Sequence, residues 1–277
     1  MTSKPTNSSK VQARAAAGSR AARNRFSSSM DDGRDQAPVR RSMKVSEDIA
    51  LRIVEHIVSH GLGTMAMLPS ETEMLDEYRV SRGSLREALR ILEVNGLIVI
   101  RPGPGGGPMV AAAKPLHFAH MSALYYHFME ATLRELLEAR MLMEPIFARA
   151  AAERQDPEFM EQLREFLVQG MPDTSDDVTY LRAASDFHGL LVAMSGNAIL
   201  DIIGLSLKEL YLQRITAIHA YEADRPRTLQ DHREIAEAIL SGDGDRAEKI
   251  ARQHLIDVGE MAEMNFPGLL DEIVSWY

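Results

Sequence analysis

The run Leu68–Ile98, LPSETEMLDEYRVSRGSLREALRILEVNGLI, decides how the first part of the chain is read. Ser70 and Glu73 form an S-x-x-E capping box, in which each side chain accepts from a backbone N–H at the other residue. It opens a short helix to about Tyr78. Ser81 is a second N-cap, for a helix that runs to Asn95 with Gly96 at its end. On a wheel of about 100° per residue, Leu85, Ala88, Leu89 and Leu92 fall on one face and must pack inward. Arg82, Arg86 and Arg90 lie together on a flank at four-residue spacing, with Arg79 just before the helix. The bland reading of these arginines is a solvated face, with Glu87 and Glu93 available for pairing. The functional reading is a cationic ridge on a recognition helix, whose N-terminal residues meet base edges and phosphates. The forked guanidinium suits bidentate contact with guanine or phosphate.

Upstream, Ser46 is the expected N-cap of a helix with Glu47 and Asp48 in its first turn, where acidic groups oppose the helix dipole. Ile49, Ile53 and Ile57 repeat along it, and Gly61 ends it. Downstream, LIVI (Leu97–Ile100) reads as a strand and MVAA (Met109–Ala112) as its returning partner. Helix, helix, turn, helix and hairpin make a winged helix-turn-helix over residues 43–113. The glycine-rich piece of VIRPGPGGGPMV, Val99–Val110, is no phosphate cradle, because no Lys-Ser/Thr follows and no helix opens after it. It reads as the tip of the wing. Gly103 lets the backbone turn tightly and approach a groove closely, and Arg101 at the base can reach a phosphate.

Charge is distributed unevenly around the formal total of −9. Residues 1–42 hold nine Lys and Arg against three Asp and Glu, with almost no large apolar residues, and read as a disordered basic tail. Residues 115–277 hold 14 basic against 28 acidic residues. No apolar run is long enough to span a bilayer, and no apolar segment of a secretory signal opens the sequence. Cys is absent, which excludes disulfides and thiolate metal sites. These features suit a cytoplasmic protein with no membrane association.

After an expected linker over 114–124, residues 125–277 are expected to form an all-α antiparallel bundle. ATLRELLEARMLMEPIFARAAAER is a long amphipathic helix with Pro145 predicting a kink. Further helices are expected at about 157–169, 177–195, 198–221, 228–240 and 244–264. Six of the nine histidines, His56, His60, His117, His120, His127 and His219, are scattered. His188, His232 and His254 sit mid-helix on three separate helices. Imidazoles converging in a bundle would suit Zn²⁺ and its neighbours, but spacing alone gives no evidence of convergence. Met141, Met143 and Met194 read as core filler.

The motifs L-P-S-E, V-S-R-x-x-x-R-E-A-L-R-x-L and R-P-G, in that order over about residues 45–112, resemble the DNA-binding domain of GntR-type bacterial transcription regulators. The resemblance implies that Ser81, Arg82, Gly83, Ser84 and Arg86 line the DNA-contacting helix start, with Gly103 at the wing. Many members carry Arg after L-P-S-E where this chain has Thr72. LLEARMLMEP, FHGLLVAMSGNAIL and HREIAEAILSGDGDRAEKIARQHL resemble the effector-binding (FCD) domain of the FadR branch. That likeness implies a divalent metal, Zn, Ni or Mn, on His188, His232 and His254, together with an Asp four residues before the first. Ala184 stands at that position, and Asp186 points elsewhere, about 200° around the helix from His188. The resemblance also implies that Arg140 faces an effector cavity, where it can pair a carboxylate. The alternative for Arg140 is an ordinary surface pair with Glu144 at i+4.

The expected function is a homodimeric, ligand-responsive operator-binding regulator, a repressor tuned by a small acidic metabolite or acyl compound, and not an enzyme. A metal-dependent enzyme would need a general base beside the histidines, and no H-E-x-x-H supplies one. A non-specific DNA-coating protein would be opposed by the acidic body.

Overall fold

The computed structural model describes residues 43–103, 105–112, 114–168, 176–214 and 225–276. The expected tail 1–42, His219 and the end of the expected helix 198–221 lie outside them. Ten α-helices and one two-stranded antiparallel sheet are described, so the fold is mainly α. The chain divides into two compact units, the first ending at Phe118 and the second running from Ala119 to Tyr277.

The first unit holds α1 (Val45–Ser59), α2 (Glu71–Tyr78), α3 (Arg82–Val94), β1 (Ile98–Arg101) and β2 (Gly107–Val110). The expected caps of α2 and α3 form. Glu73 N–H donates to Ser70 Oγ at 3.3 Å, and Ser70 N–H donates to Glu73 Oε2 at 2.7 Å. Ser84 N–H donates to Ser81 Oγ at 3.1 Å. At α1 the expectation is corrected. The N-cap is Lys44, not Ser46, because the Glu47 carboxylate accepts from the Lys44 backbone N–H at 3.0 Å and so closes the helix two residues earlier. Gly61, at φ 59°, ends α1 as expected, with Leu62 N–H reaching back to Ile57 O at 3.0 Å. Ile49, Ile53, Leu85, Ala88, Leu89 and Leu92 are buried in one cluster with Met74, Tyr78 and Ile98.

Both strands of the wing are displaced from their expected positions. β1 begins one residue later, and β2 is Gly107–Val110 rather than Met109–Ala112. Register explains the shift: Ile98 pairs with Val110 and Arg101 with Gly107, so the turn closes within the glycine run. β2 is also held on its other edge, where Leu68 N–H donates to Pro108 O and Val110 N–H to Ala66 O, both at 2.9 Å. Gly106 is obligatory here, since a Cβ would stand 2.2 Å from Arg101 O.

The segment expected as a linker at 114–124 is helical from Pro115, inside α4 (Pro115–Phe128), and the boundary between the two units falls within it. The bundle follows with α5 (Leu133–Arg154), α6 (Pro157–Val168), α7 (Asp177–Ala193), α8 (Ala198–Arg214), α9 (Arg225–Leu240) and α10 (Gly244–Asn265), closed by a 3₁₀ turn at Leu269–Asp271. α5 opens on a Thr132–Glu135 capping box and runs unbroken through Pro145. α5 packs most extensively on α10. Two apolar clusters fill the bundle. One takes Phe147, Ala148 and Ala151 of α5 with Ala247 and Ala251 of α10. The other takes Leu133, Leu136 and Leu137 of α5 with Val258, Met261 and Ala262 of α10. Arg140 and Glu144 on α5, and His254 on α10, fall in sequence between the members of the two clusters, and all three are buried. Met194 is buried in the first cluster, and Met141 and Met143 pack at the edges, as core filler should.

Candidate functional site

The first unit carries an exposed cationic helix start. Ser81, Arg82, Gly83 and Arg86 are exposed and Ser84 is half-buried. The apolar face of α3 does all the packing, so these residues have no part in the core. Arg86 Nε lies 3.6 Å from Glu71 Oε2, but with the arginine side chain 69% exposed such a pair contributes little to stability. Arg101, at the end of β1, and Gly103, at φ 95°, are exposed in the wing.

The second unit holds its functional candidates inside. His188 (α7), His232 (α9) and His254 (α10) do converge: one ring nitrogen from each lies within 4.8 Å of the others, and all three are buried. His232 Nε2 and His254 Nε2 are 3.2 Å apart. That spacing fits one N–H···N hydrogen bond, and it is also about the separation of two nitrogens that share a metal at roughly 2.1 Å each. The other nitrogens are oriented by carboxylates. His188 Nδ1 is 2.7 Å from Glu144 Oε2, and His254 Nδ1 is 3.1 Å from Asp231 Oδ2. Carboxylates behind ligand imidazoles fix ring orientation and free Nε2 for a cation. Phe187 stacks on the His232 ring at 4.2 Å.

Arg140 and Glu144 are not a surface pair. Both are buried, and Arg140 Nε donates to Glu144 Oε1 at 2.5 Å while the guanidinium lies 4.1 Å from the Tyr211 ring centroid. Burial would raise the Glu144 carboxyl, but Arg140 and His188 together hold it well below the usual carboxylate range. Burial pushes the His188 imidazole down to about 4, against the pull of Glu144. Burial likewise pushes the Tyr211 phenol up to about 12. Beside this group lies a small space of about 10 Å³, lined by Arg140, Leu181, Ala184, Ser185, His188, Lys208, Tyr211 and Leu212. Ala184 is buried in its wall and Asp186 is exposed, so no carboxylate on α7 joins the histidines.

The comparisons with known proteins agree with this two-part arrangement. The profile of bacterial regulatory proteins of the gntR family matches residues 45–106, and that of the FCD domain matches residues 135–257. This chain belongs to the GntR family. The HTH-type transcriptional regulator Mce2R of Mycobacterium tuberculosis is 27% identical over 83% of this chain and 95% of its own. The galactonate operon transcriptional repressor of Escherichia coli is 26% identical over 76% and 93%. The solved Streptococcus agalactiae GntR has the same fold, with a TM-score of 0.60, 24% identity and coverage of 78% and 99%. A GntR regulator of this composition is a transcription regulator and not an enzyme, which sets aside the metalloenzyme alternative. Among the described residues no helix is long and apolar enough to cross a membrane.

Three residues of the buried group escaped the reading of the sequence as site residues: Glu144, Asp231 and Lys208. A signal existed for the first. Buried positions on α5 run Leu133, Leu136, Leu137, Arg140, Glu144, Phe147, Ala148 and Ala151, so two charged residues fall on the apolar stripe itself. Asp231 adjoins His232, but its partner is His254 on the next helix, which sequence does not disclose. Lys208 lies on α8 as an ordinary-looking helical lysine.

Proposed function

We propose that this GntR regulator is an operator-binding repressor that acts as a homodimer and responds to a small organic acid held in the helical unit. One observation carries the DNA-binding part. The N-terminal half of α3 exposes Ser81, Arg82, Gly83 and Arg86 while its opposite face supplies the core, which is the division of labour of a recognition helix. In this reading Arg82 and Arg86 reach bases and phosphates, Ser84 lines the same turn, and Arg101 and Gly103 bring the wing to the backbone. Two copies would meet half-sites about one helical turn apart. The ligand would act by binding one arrangement of the dimer more tightly than the other.

The buried group suits both a cation and an acid. His188, His232 and His254 would hold a divalent metal such as Zn, Ni or Mn, and the donor set fits one, since Glu144 and Asp231 stand behind two of the three imidazoles. The metal would supply a positive centre for an oxygen ligand. Arg140 lines the adjoining space, which would have to open for its guanidinium to meet a carboxylate. The space beside Arg140 is about 10 Å³, room for a single water, so its size does not separate a small acid from an acyl compound. The galactonate operon repressor among the relatives is consistent with a small acid.

Arg86→Ala tests the reading head. Operator affinity should fall by about 1–3 kcal/mol, with the denaturation midpoint unchanged, because the side chain is exposed. Retained operator affinity in a salt-controlled binding titration would remove α3 as the reading element. Binding equal on operator and random DNA, collapsing together with salt, would instead favour non-specific coating.

A further inference from the structure

His188, His232 and His254 are only 4%, 0% and 2% exposed, so a cation from solvent needs a way in. Two openings adjoin them. The space beside His188, about 10 Å³, has room for a single water, and its lining holds the cationic Arg140 and Lys208 and no carboxylate. The other lies in the groove between α9 and α10, against His254, and no residue lines both. It holds about 110 Å³, enough for several waters and so for an ion with part of its hydration shell. Asp231, Asp257 and Glu260 line it against a single guanidinium, that of Arg227, which pairs with Asp257. Thr228, 8% exposed, also lines it, and its hydroxyl has no hydrogen-bond partner among the described residues. That oxygen can accept from a water carried by the ion. Asp231 joins the groove to the histidines, because it lines the groove while its Oδ2 meets His254 Nδ1 at 3.1 Å. Among the described residues only the three histidines bring three or more ligand atoms together, so the groove carboxylates are placed to guide a cation and not to hold one.

We propose that the α9–α10 groove is the port through which a divalent cation reaches His254 and His232, drawn by Asp231, Asp257 and Glu260 and opposed by Arg227. This rests on the reading of the three histidines as a metal site. A cleft lined by one sign of charge concentrates counter-ions and raises their on-rate, and salt screens the effect. The space beside His188, with two cationic side chains and room for one water, is closed to a cation on both counts. Asp231, shared by the groove and His254, is the last carboxylate on the route.

The test is the rate of Zn²⁺ uptake by the full, chelator-stripped chain, with the zinc left free read by a chromophoric indicator after rapid mixing. His232→Gln, which lacks one of the three ligands, gives the background from other sites. At low salt Glu260→Gln should slow uptake by about threefold and Glu260→Lys by about tenfold, and Arg227→Met should quicken it. High salt should shrink all three differences. Glu260 is exposed and the Arg227 side chain is 65% exposed, so these variants keep their fold. Equilibrium affinity should move less than the rate. Glu158→Gln, which removes the same charge from an exposed position of α6 outside the groove, should leave uptake unchanged. Equal uptake in wild type, Glu260→Lys and Arg227→Met would overturn the port. Equal slowing in Glu158→Gln would overturn it too, as an effect of net charge alone. A loss in Glu260→Gln that appears only as faster dissociation would make Glu260 part of the metal site and not of a route to it. A wild type that binds no Zn²⁺ above the background removes the metal site and the port together, whereas binding at rates that no groove variant moves removes the port alone.

Discussion

The two units handle charge in opposite ways. In the first, arginines stand on the outside of a helix whose other face makes the core; Arg86 is 69% exposed and its ion pair with Glu71 is loose. In the second, Arg140, Glu144 and three histidines sit inside, each within contact of another polar group. The difference follows from what each must meet. DNA is a large polyanion that comes to the surface, so its contacts need not be desolvated beforehand. A small ligand recognised in a cavity needs polar groups arranged in advance, and these are costly to bury unless they satisfy one another. The first unit can therefore lose a functional charge with little effect on folding, while the second cannot.

The strongest test of that contrast is Glu144→Ala. It would leave Arg140 buried without its carboxylate and His188 without its orienting partner. Breaking a buried pair in this way typically costs about 3–5 kcal/mol. A urea denaturation series should show a loss of that size, and a loss below about 1 kcal/mol would mean that the pair is accessible to water. The double change of Arg140 and Glu144 to Met and Leu should recover part of the loss, because no orphaned charge remains.

Acid titration gives the next largest effect. His188 has its folded value depressed to about 4 from an ordinary 6.5, by burial. The unfolded chain therefore binds a proton there that the folded chain refuses. Stability from this group is complete above about pH 6.5 and declines as pH falls toward 4, by up to about 3 kcal/mol. Glu144 adds to the acid loss below the usual carboxylate range, because its folded value is depressed too. His188→Gln should flatten the segment between pH 6.5 and 4; a wild-type melting curve that is already flat there would contradict a neutral buried His188.

The two units were also unequally legible. The caps at Ser70 and Ser81 and the inward face of α3 lie within a few residues of each other, so local spacing was enough to draw them. The strands of the wing were misplaced by one and two residues because their register is set across the turn and by Leu68 and Ala66, which lie outside the hairpin. Apolar periodicity predicts the helices of the bundle, but not the helical form of the linker segment 114–124, which makes up most of α4. Its helix has apolar residues nearly all round, including exposed Phe118, Met121, Tyr125 and Phe128, and so has no clear stripe. Convergence of His188, His232 and His254 was beyond local reasoning, since it depends on how α7, α9 and α10 pack. The Arg140–Glu144 spacing was visible, but whether an i, i+4 pair is inside or outside is decided by tertiary contacts.

A smaller effect separates support from contact at the histidines. Asp231→Asn should leave the three imidazoles in place while removing the charge behind His254 Nδ1. Zn²⁺ affinity, measured by competition with a chromophoric chelator, should weaken by about 10–100-fold. Equal affinity in wild type and variant would mean that Asp231 takes no part in orienting His254 for a cation.

The smallest expected effect sharpens the comparison from the surface side. Ser81→Ala removes the side-chain acceptor for Ser84 N–H at the start of α3. The cost should be about 1 kcal/mol, and Ser81→Gly should cost only a few tenths. The loss belongs to the first turn, which carries Arg82 and Gly83, and not to the buried face of Leu85, Ala88 and Leu89. Amide exchange should accordingly quicken at Gly83, Ser84 and Leu85 while the amides of α5 and α10 keep their protection. Operator affinity should fall by more than the stability loss accounts for, because the frayed turn is the one that presents the arginine. If affinity and stability instead decline in step and Ser81→Gly behaves like Ser81→Ala, the serine is a cap alone and the reading surface begins further along the helix.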